Sequence, residues 1–158
     1  MILVTVGFHF QGFNRLVEAM DKVAAEIDER VIIQRGSSSY VPQHAEHFQW
    51  TSSQQMEQLT EEARIVVGHA GSGTIILTLL KGKPLIVVPR LKQYREHIDD
   101  HQLQLAKAMG SQGKAAVIYD SNPIALRAAI EKVAGKKMIL NRSTSLVRAL
   151  RKQLDSWV

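Results

Sequence analysis

The chain contains no cysteine and few aromatic residues. Without cysteine, neither a disulfide framework nor a cysteine-ligated metal site can form. Aromatic residues make up 6% of the chain and are not interleaved with basic ones, so we expect no nucleic-acid partner. No apolar run approaches the roughly 20 residues that a membrane-spanning helix requires. The first strand-like run, Met1 to Val6, lacks the basic flank and cleavage site of a signal peptide, so a soluble protein is expected.

The residues that are present suit one domain with a substantial core. The 158 residues are 45% hydrophobic, which is too little material for two full α/β lobes. No repeat or linker is apparent, so residues 1–158 are expected to form a single domain. The formal charge of +5 favours anionic partners such as a phosphorylated ligand.

Strand patterns rich in Val and Ile alternate with helical patterns along the chain. This alternation predicts an α/β fold with a mostly parallel sheet and helices on both faces. The predicted strands are Ile2–Val6, Arg30–Gln34, Phe48–Trp50, Ile65–Val67, Leu85–Val88 and Ala115–Ile118. The predicted helices are Phe13–Ile27, Ser53–Ala63, Gly73–Lys81, His97–Met109, Pro123–Ala134 and Ser143–Trp157. Asn122 is expected to cap the helix that starts at Pro123.

A Gly-rich turn, Gly68 to Thr74, follows one buried strand and opens a helix. Backbone N–H groups at such a helix start can receive a phosphate or pyrophosphate. A P-loop would need Lys directly after the second glycine, where this chain has Thr74. The dinucleotide fingerprint also fails, because Ile76 stands at its third glycine. A purely structural turn, with His69 as a helix cap, remains the alternative.

A second polar segment, His97 to Gln102, follows the next strand. Predicted as helical, it places His97 and His101 one turn apart with acids between them, a spacing that also occurs in zinc sites. Such a site would need a third ligand, for which His44, Glu46 and His47 are candidates. A solvated helix start with Asp99 and Asp100 near its positive end is the simpler interpretation.

Two further loops follow strands that end at the same edge of the predicted sheet. Gly7 permits a ligand to approach the backbone closely. The ordinary pKa of a histidine suits His9 to proton transfer or phosphate contact. Arg35 follows the second strand together with several hydroxyl residues. A solvated surface loop is the alternative interpretation in both places.

Taken together, these pieces resemble the C-terminal, donor-binding domain of glycosyltransferase family 28. The resemblance is strongest to the small donor-binding subunit of two-chain bacterial exopolysaccharide and capsule glycosyltransferases. It runs in order from the first strand to about Met109. The matching pieces are Val4 to Gly7 with His9, Phe13 to Leu16, Gly68 to Thr74, Gly82 to Pro84, Pro89-Arg90, Glu96-His97 and Asp100 to Gln102.

The resemblance implies one Rossmann-like lobe, the C-terminal half, of a two-lobed GT-B enzyme. Its reaction would be inverting transfer from a UDP-sugar to a polyprenyl-diphosphate-linked acceptor, without cofactor or metal. The turn around Gly71 would hold the diphosphate, His101 and Gln102 would reach the sugar or its phosphate, and the residues near Arg35 and Pro89 would surround the uridine. The implied donor-binding set is Gly7, Arg35, His69, Ala70, Gly71, Ser72, Gly73, Thr74, Pro89, Arg90, His97, Asp100, His101 and Gln102. His9 is the candidate catalytic base within this chain, unless the partner supplies the base.

The family pattern is broken at Leu77, where many members have an acidic residue, so the usual ribose contact is not expected. Because one lobe lacks an acceptor site, the resemblance also implies a membrane-anchored, acceptor-binding partner subunit. That partner would recruit this chain from the cytoplasm to the inner face of the plasma membrane. The predicted C-terminal helix, about 143–157, either packs on its own sheet or docks on the partner or membrane. The alternative function is a subunit that stabilises or enhances a partner glycosyltransferase without binding donor itself.

Overall fold

The computed structural model describes residues 1–134, which form alternating strands and helices. The strands are β1 Ile2–Thr5, β2 Val31–Gln34, β3 Glu46–Phe48, β4 Ile65–His69, β5 Leu85–Val88 and β6 Ala116–Val117. The helices are α1 Asn14–Glu26, α2 Ser53–Glu62, α3 Ser72–Leu80, α4 His101–Ser111 and α5 Pro123–Ala134, with a 3-10 turn at Lys92–Tyr94. The predicted helix at 143–157 lies outside the described residues.

The six strands form one parallel sheet in the order β3-β2-β1-β4-β5-β6. Strands β1, β2 and β5 are buried along their whole length, which explains their continuous runs of Val, Ile and Leu. The chain moves outward from β1 to β3 and then returns to the other side of β1 with β4. The direction of strand addition therefore reverses between β1 and β4, where open α/β sheets form a crevice for ligands.

Helices cover both faces of the sheet, which confirms the predicted fold class. On one face, α1 and α5 pack in a core that includes Val4, Leu16, Met20, Val67 and Ile130. On the other face, α3 and α4 pack in a second core that includes Leu3, Ile75, Leu79, Val87 and Met109. Alternate residues of the same strands enter opposite cores, because successive side chains of a strand point to opposite faces.

Helix starts follow the local sequence signals. The Ser52 hydroxyl accepts a hydrogen bond from Gln55 N at the start of α2. The side chain of Asn122 likewise accepts a bond from Ala125 N, and α5 begins at Pro123 as predicted. The predicted strand Phe48–Trp50 was wrong in position, because pairing with β2 starts at Glu46, which contacts Ile32, and leaves Trp50 exposed. The last strand is also shorter than predicted.

A buried carboxylate fixes the long connection between β2 and β3. Asp21 on α1 is almost wholly buried and accepts hydrogen bonds from the backbone N–H groups of Gln43, His44 and Ala45, and from the Tyr40 hydroxyl. Burial alone would raise the pKa of Asp21, but these donors lower it overall. The ionised carboxylate therefore serves as the anchor for this connection.

Within residues 1–134, no helix is both long and apolar enough to cross a membrane.

Candidate functional site

The site is built where β1 and β4 end side by side, at the reversal point of the sheet. His69 closes β4, and its imidazole lies between the backbones of Gly7 and Gly71. A Cβ atom on Gly7 would come within 2.5 Å of the ring, and one on Gly71 within 2.1 Å of its Nε2. Gly7 also has a φ of +74°, a conformation that glycine adopts without strain. Both glycines are thus needed to make room for His69.

The imidazole of His69 is held in its neutral form. Burial, and then the nearby positive charge of Arg90, lower its pKa to about 3. The ring therefore joins the β1–α1 and β4–α3 loops as an uncharged packing element at physiological pH. The sequence predicted that His69 binds a ligand. That role remains a prediction, in addition to the packing role that the structure shows.

The start of α3 is open in the way that anion binding requires. Its N-cap is Gly71, and no side chain caps the helix start. A Cβ atom added at Gly73 would meet nothing within 4 Å, so a ligand can approach this backbone. Ser72 and Thr74 flank that position, while Ala70 is buried below it. The first-turn N–H groups and the helix dipole therefore present a partial positive charge to the crevice.

His9 lies in the β1–α1 loop as the middle ring of a three-ring stack. Its centroid is 4.6 Å from that of Phe10 and 4.5 Å from that of His97. Its Nδ1 accepts a hydrogen bond from Gln11 N at 3.2 Å. Burial, and then the neighbouring His97 and Arg90, lower the pKa of His9. A neutral ring that accepts at Nδ1 carries its proton on Nε2, and it is therefore suited to donate to an anion.

The β5–α4 loop contradicts the predicted helix over His97–Met109, because α4 begins only at His101. Residues before it form a 3-10 turn and bends, closed by Arg95 in a left-handed conformation with a φ of 56°. The Asp100 carboxylate accepts a bond from Lys92 N, which folds the loop back on itself. The prediction that one helical turn brings His97 and His101 together is therefore wrong, because His97 lies outside the helix.

A carboxylate brings them together instead. Asp99 lies between the two rings, with Oδ1 at 3.0 Å from the Nδ1 of His97 and Oδ2 at 3.1 Å from the Nδ1 of His101. Within residues 1–134, no group of three or more His, Asp or Glu side chains is arranged to hold a metal ion. His44, Glu46 and His47 lie at or beside β3, the edge strand next to β2, and do not join His97 and His101.

Arg90 forms the floor beneath these loops and has no solvent exposure. Its Nη1 donates to the carbonyl oxygens of Gln11, Gly12 and Glu96, and its Nη2 to that of Val6 at 2.7 Å. Burial lowers the pKa of Arg90 to about 10, so it remains charged at neutral pH. The sequence prediction placed Arg90 against the donor, whereas the structure shows it bonded to backbone.

Gln102, the other predicted sugar contact near Arg90, is 9% exposed. Its side-chain oxygen accepts a hydrogen bond from Arg90 N at 3.1 Å, which fixes the orientation of the amide. His101, its neighbour, has a side chain that is 63% exposed. The structure therefore places His101 at the rim of the site and Gln102 in its wall.

An ion pair that was not predicted from the sequence joins α1 to the β5–α4 loop. Arg15 and Glu96 form two hydrogen bonds of 2.9 Å. Arg15 also donates to the Pro89 carbonyl, and Glu96 accepts from Leu91 N. The start and the middle of the loop that carries His97 are thereby held. The pairing of a basic residue on one element with an acidic residue 81 positions later gives no local sequence signal.

The β2 end supports the Gly7 loop from the other side. The side-chain oxygen of Gln34 accepts bonds from the Thr5 hydroxyl and from the N–H groups of Val6 and Gly7. Its amide nitrogen donates back to the Gly7 carbonyl. Arg35 follows, and its Nη1 donates to the Ser38 carbonyl. Gln34 was predicted only as the last residue of a strand.

Comparison with known proteins adds a family match. The family model for the glycosyltransferase family 28 C-terminal domain matches residues 1–154. The human UDP-N-acetylglucosamine transferase subunit ALG13 is 32% identical over 123 residues, which are 71% of this chain and 10% of that protein. The mouse protein of that name is 33% identical over 88 residues and is matched over 7% of its length. The chain thus spans a tenth or less of these relatives.

Solved structures give the same fold. The glycotransferase of kitacinnamycin superposes with a TM-score of 0.70 at 27% identity, covering 96% of this chain and 39% of that enzyme. The NMR solution structure of ALG13 superposes with a TM-score of 0.61 at 20% identity, covering 94% of each chain. The calicheamicin glycosyltransferase CalG4 gives 0.67 at 18% identity, covering 97% of this chain and 43% of that one. The described fold is that of the C-terminal lobe of GT-B glycosyltransferases, as predicted.

Proposed function

The chain belongs to the glycosyltransferase family 28 C-terminal domain family, and on that premise we propose that it binds the UDP-sugar donor of an inverting glycosyltransferase. The observation that carries this proposal is the uncapped start of α3, open at Gly73 and placed at the reversal point of the sheet. A diphosphate bound there would meet the partial positive charge of the helix.

The diphosphate would lie on the backbone of Gly71 to Thr74. His9 would donate its Nε2–H group from one side, since its Nδ1 is already used by Gln11. The buried charge of Arg90 would add a favourable potential from below without touching the ligand. These groups would stabilise the leaving diphosphate as the bond to the sugar breaks, which is the charge that grows in the transition state.

The sugar would lie toward the β5–α4 loop, within reach of His97, Asp100, His101 and Gln102. Uridine would lie nearer Arg35 and the loop that begins at Pro89. The relatives are described as UDP-N-acetylglucosamine transferase subunits, which makes UDP-N-acetylglucosamine the first donor to test. Leu77 offers no carboxylate on α3, so ribose would be held by other groups.

The chemical step would be a displacement at the anomeric carbon. An acceptor hydroxyl oxygen would form a bond to that carbon while the carbon–oxygen bond to the diphosphate breaks and UDP leaves with the electron pair. A base must take the hydroxyl proton. His9 was the predicted base, but its engaged Nδ1 and protonated Nε2 suit it better to hydrogen-bond donation. In this proposal the partner subunit supplies the base.

The acceptor would be a polyprenyl-diphosphate-linked saccharide of exopolysaccharide or capsule synthesis. It would be bound by a membrane-anchored second subunit that brings this chain to the inner face of the plasma membrane. One observation supports a partner: the relatives are named as subunits of a transferase.

Isothermal titration with UDP and a panel of UDP-sugars tests donor binding directly. Binding of at least one uridine nucleotide is expected, and failure of all of them would sink the proposal. Transferase assays with the co-purified partner then test the alternative of a subunit that only enhances its partner. If Gly71→Ala and Gln102→Ala leave transfer by the pair intact, the enhancer function is the correct one.

A further inference from the structure

Asp99 is the one carboxylate that contacts two imidazoles among the described residues, and the sequence predicted for it only a place at a solvated helix start. Its Oδ1 is 3.0 Å from the Nδ1 of His97, and its Oδ2 is 3.1 Å from the Nδ1 of His101. The N–H of His101 lowers the pKa of Asp99 most, burial opposes it, and the two imidazoles lower the pKa further, so that it falls overall. The carboxylate is therefore ionised and can only accept hydrogen bonds.

Because an ionised carboxylate needs donors, it favours a proton on the Nδ1 of each ring. His97 Nδ1 also lies 3.3 Å from the backbone nitrogen of Asp99, a contact that would need an unprotonated Nδ1. The carboxylate is nearer and charged, so the protonated Nδ1 gains the stronger hydrogen bond. The opposite ring nitrogen, Nε2, is then the acceptor in the neutral imidazole.

We propose that Asp99 is a positioning residue that fixes the tautomer of His97, and with it His101, so that Nε2 accepts a hydrogen bond from a hydroxyl group of the donor sugar. This inference rests on the proposed function. It gives the two sides of the site opposite hydrogen-bonding character: His9 offers an N–H group, which suits phosphate, while His97 offers a lone pair, which suits a hydroxyl.

A simpler role for Asp99 is to shape the start of α4, because its Oδ1 also accepts a hydrogen bond from His101 N at 3.0 Å. The substitution Asp99→Asn separates the two roles. Asparagine keeps a side-chain oxygen for the His101 N–H and serves equally well at helix starts. It lacks the negative charge that favours a proton on the Nδ1 of His97 at Oδ1, and it replaces Oδ2, the oxygen that faces the His101 ring, with an NH2 group.

The first test is spectroscopic and needs no ligand. Long-range proton–nitrogen correlation spectra of the full chain, above the pH at which the imidazoles are charged, report which ring nitrogen carries the proton. The native protein is expected to show the Nδ1–H tautomer at His97, and Asp99→Asn a shift toward Nε2–H. A native His97 with its proton on Nε2 would overturn the inference.

The second test compares UDP with the UDP-sugar that the native chain binds. Asp99→Asn is expected to weaken UDP-sugar binding about five- to tenfold, the range for one lost hydrogen bond, and to leave UDP binding within about twofold. Equal losses for both ligands, or no loss, would refute the positioning role. Asp28→Asn is the matched control, because Asp28 is an exposed carboxylate in the α1–β2 connection. That connection lies at the side of the sheet where the strands begin, whereas the site lies where they end.

If the native chain binds no uridine nucleotide, the proposed function fails, while the tautomer measurement still decides the role of Asp99 within the loop.

Discussion

Replacement of Arg90 is expected to destabilise the fold and distort the site together. The guanidinium makes four hydrogen bonds, all to backbone carbonyl oxygens of the β1–α1 and β5–α4 loops. Its centre also lies 4.9 Å from the ring centroid of Phe13. Substitution by methionine keeps much of the volume but leaves those four carbonyls without their donor.

The size of the effect follows from these bonds. A hydrogen bond to a charged group contributes about 1.5 kcal/mol or more, so four bonds would contribute about 6 kcal/mol. Methionine also removes the desolvation cost of a buried charge, which offsets part of that loss. The remaining destabilisation is about 3–5 kcal/mol, because each of the four carbonyls left without its donor costs about 1 kcal/mol. For a domain of this size, the melting temperature should fall by on the order of 10 °C.

Urea unfolding followed by circular dichroism measures this change. The midpoint of Arg90→Met should fall with little change in slope, and Arg90→Lys should lie between it and the native protein, because lysine keeps the charge without the planar fork. Arg30→Met is the control: Arg30 pairs with Glu46 on the surface, and a small change is expected there. A loss below about 1 kcal/mol for Arg90→Met would refute the argument that these bonds hold the loops.

Three further predictions concern single side chains. Gly71→Ala would place a Cβ 2.1 Å from His69 Nε2 and should lower UDP-sugar affinity about tenfold by displacing the turn. Gly73→Ala should be at least as stable as the native chain, since nothing lies within 4 Å of the added Cβ. Titration compares the affinities of the two variants, and melting curves compare their stabilities. For Asp21, the folded pKa is lowered, so its stabilising effect is present above the unfolded value and is lost as pH falls through the folded value. Asp21→Asn should be less stable at neutral pH and show a smaller further loss below about pH 4 in acid-unfolding curves, and an unchanged acid profile would argue against the anchor. For His9, burial and the charges of its neighbours lower the pKa, and a bound diphosphate should raise it again. UDP-sugar binding should therefore take up protons at mildly acidic pH, measured from binding heats in buffers of different ionisation enthalpy, and His9→Gln should reduce that uptake.

The fold could be predicted because its signals are local. Runs such as Leu85 to Val88 are too apolar and too short for anything but buried parallel strands. The Gly68 to Thr74 turn likewise predicted the start of a helix at the sheet edge, and α3 begins within one residue of the prediction.

The interior of the site could not be predicted, because its contacts join distant parts of the chain. Arg90 was assigned to the donor site because Pro89-Arg90 resembles the family pattern, but its bonding partners lie 78, 79 and 84 positions earlier as well as nearby. The loop before α4 was misread for a different reason. The spacing of His97 and His101 fits a helix, yet the fold-back that Asp100 forms with Lys92 delays the helix to His101.

The side chain of Gln34 separates what holds the site from what can vary around it. One buried amide holds the start of the Gly7 loop through both of its polar atoms, and Arg90 holds the carbonyls of Gln11 and Gly12 at its other end. Phe8 and Phe10, which are 69% and 74% exposed, stack on the rings of Trp50 and His9 and make none of these bonds, so changing them should alter the surface before it alters the backbone. Evolution or an engineer can alter the surface around the proposed donor site while the scaffold below it stays the same.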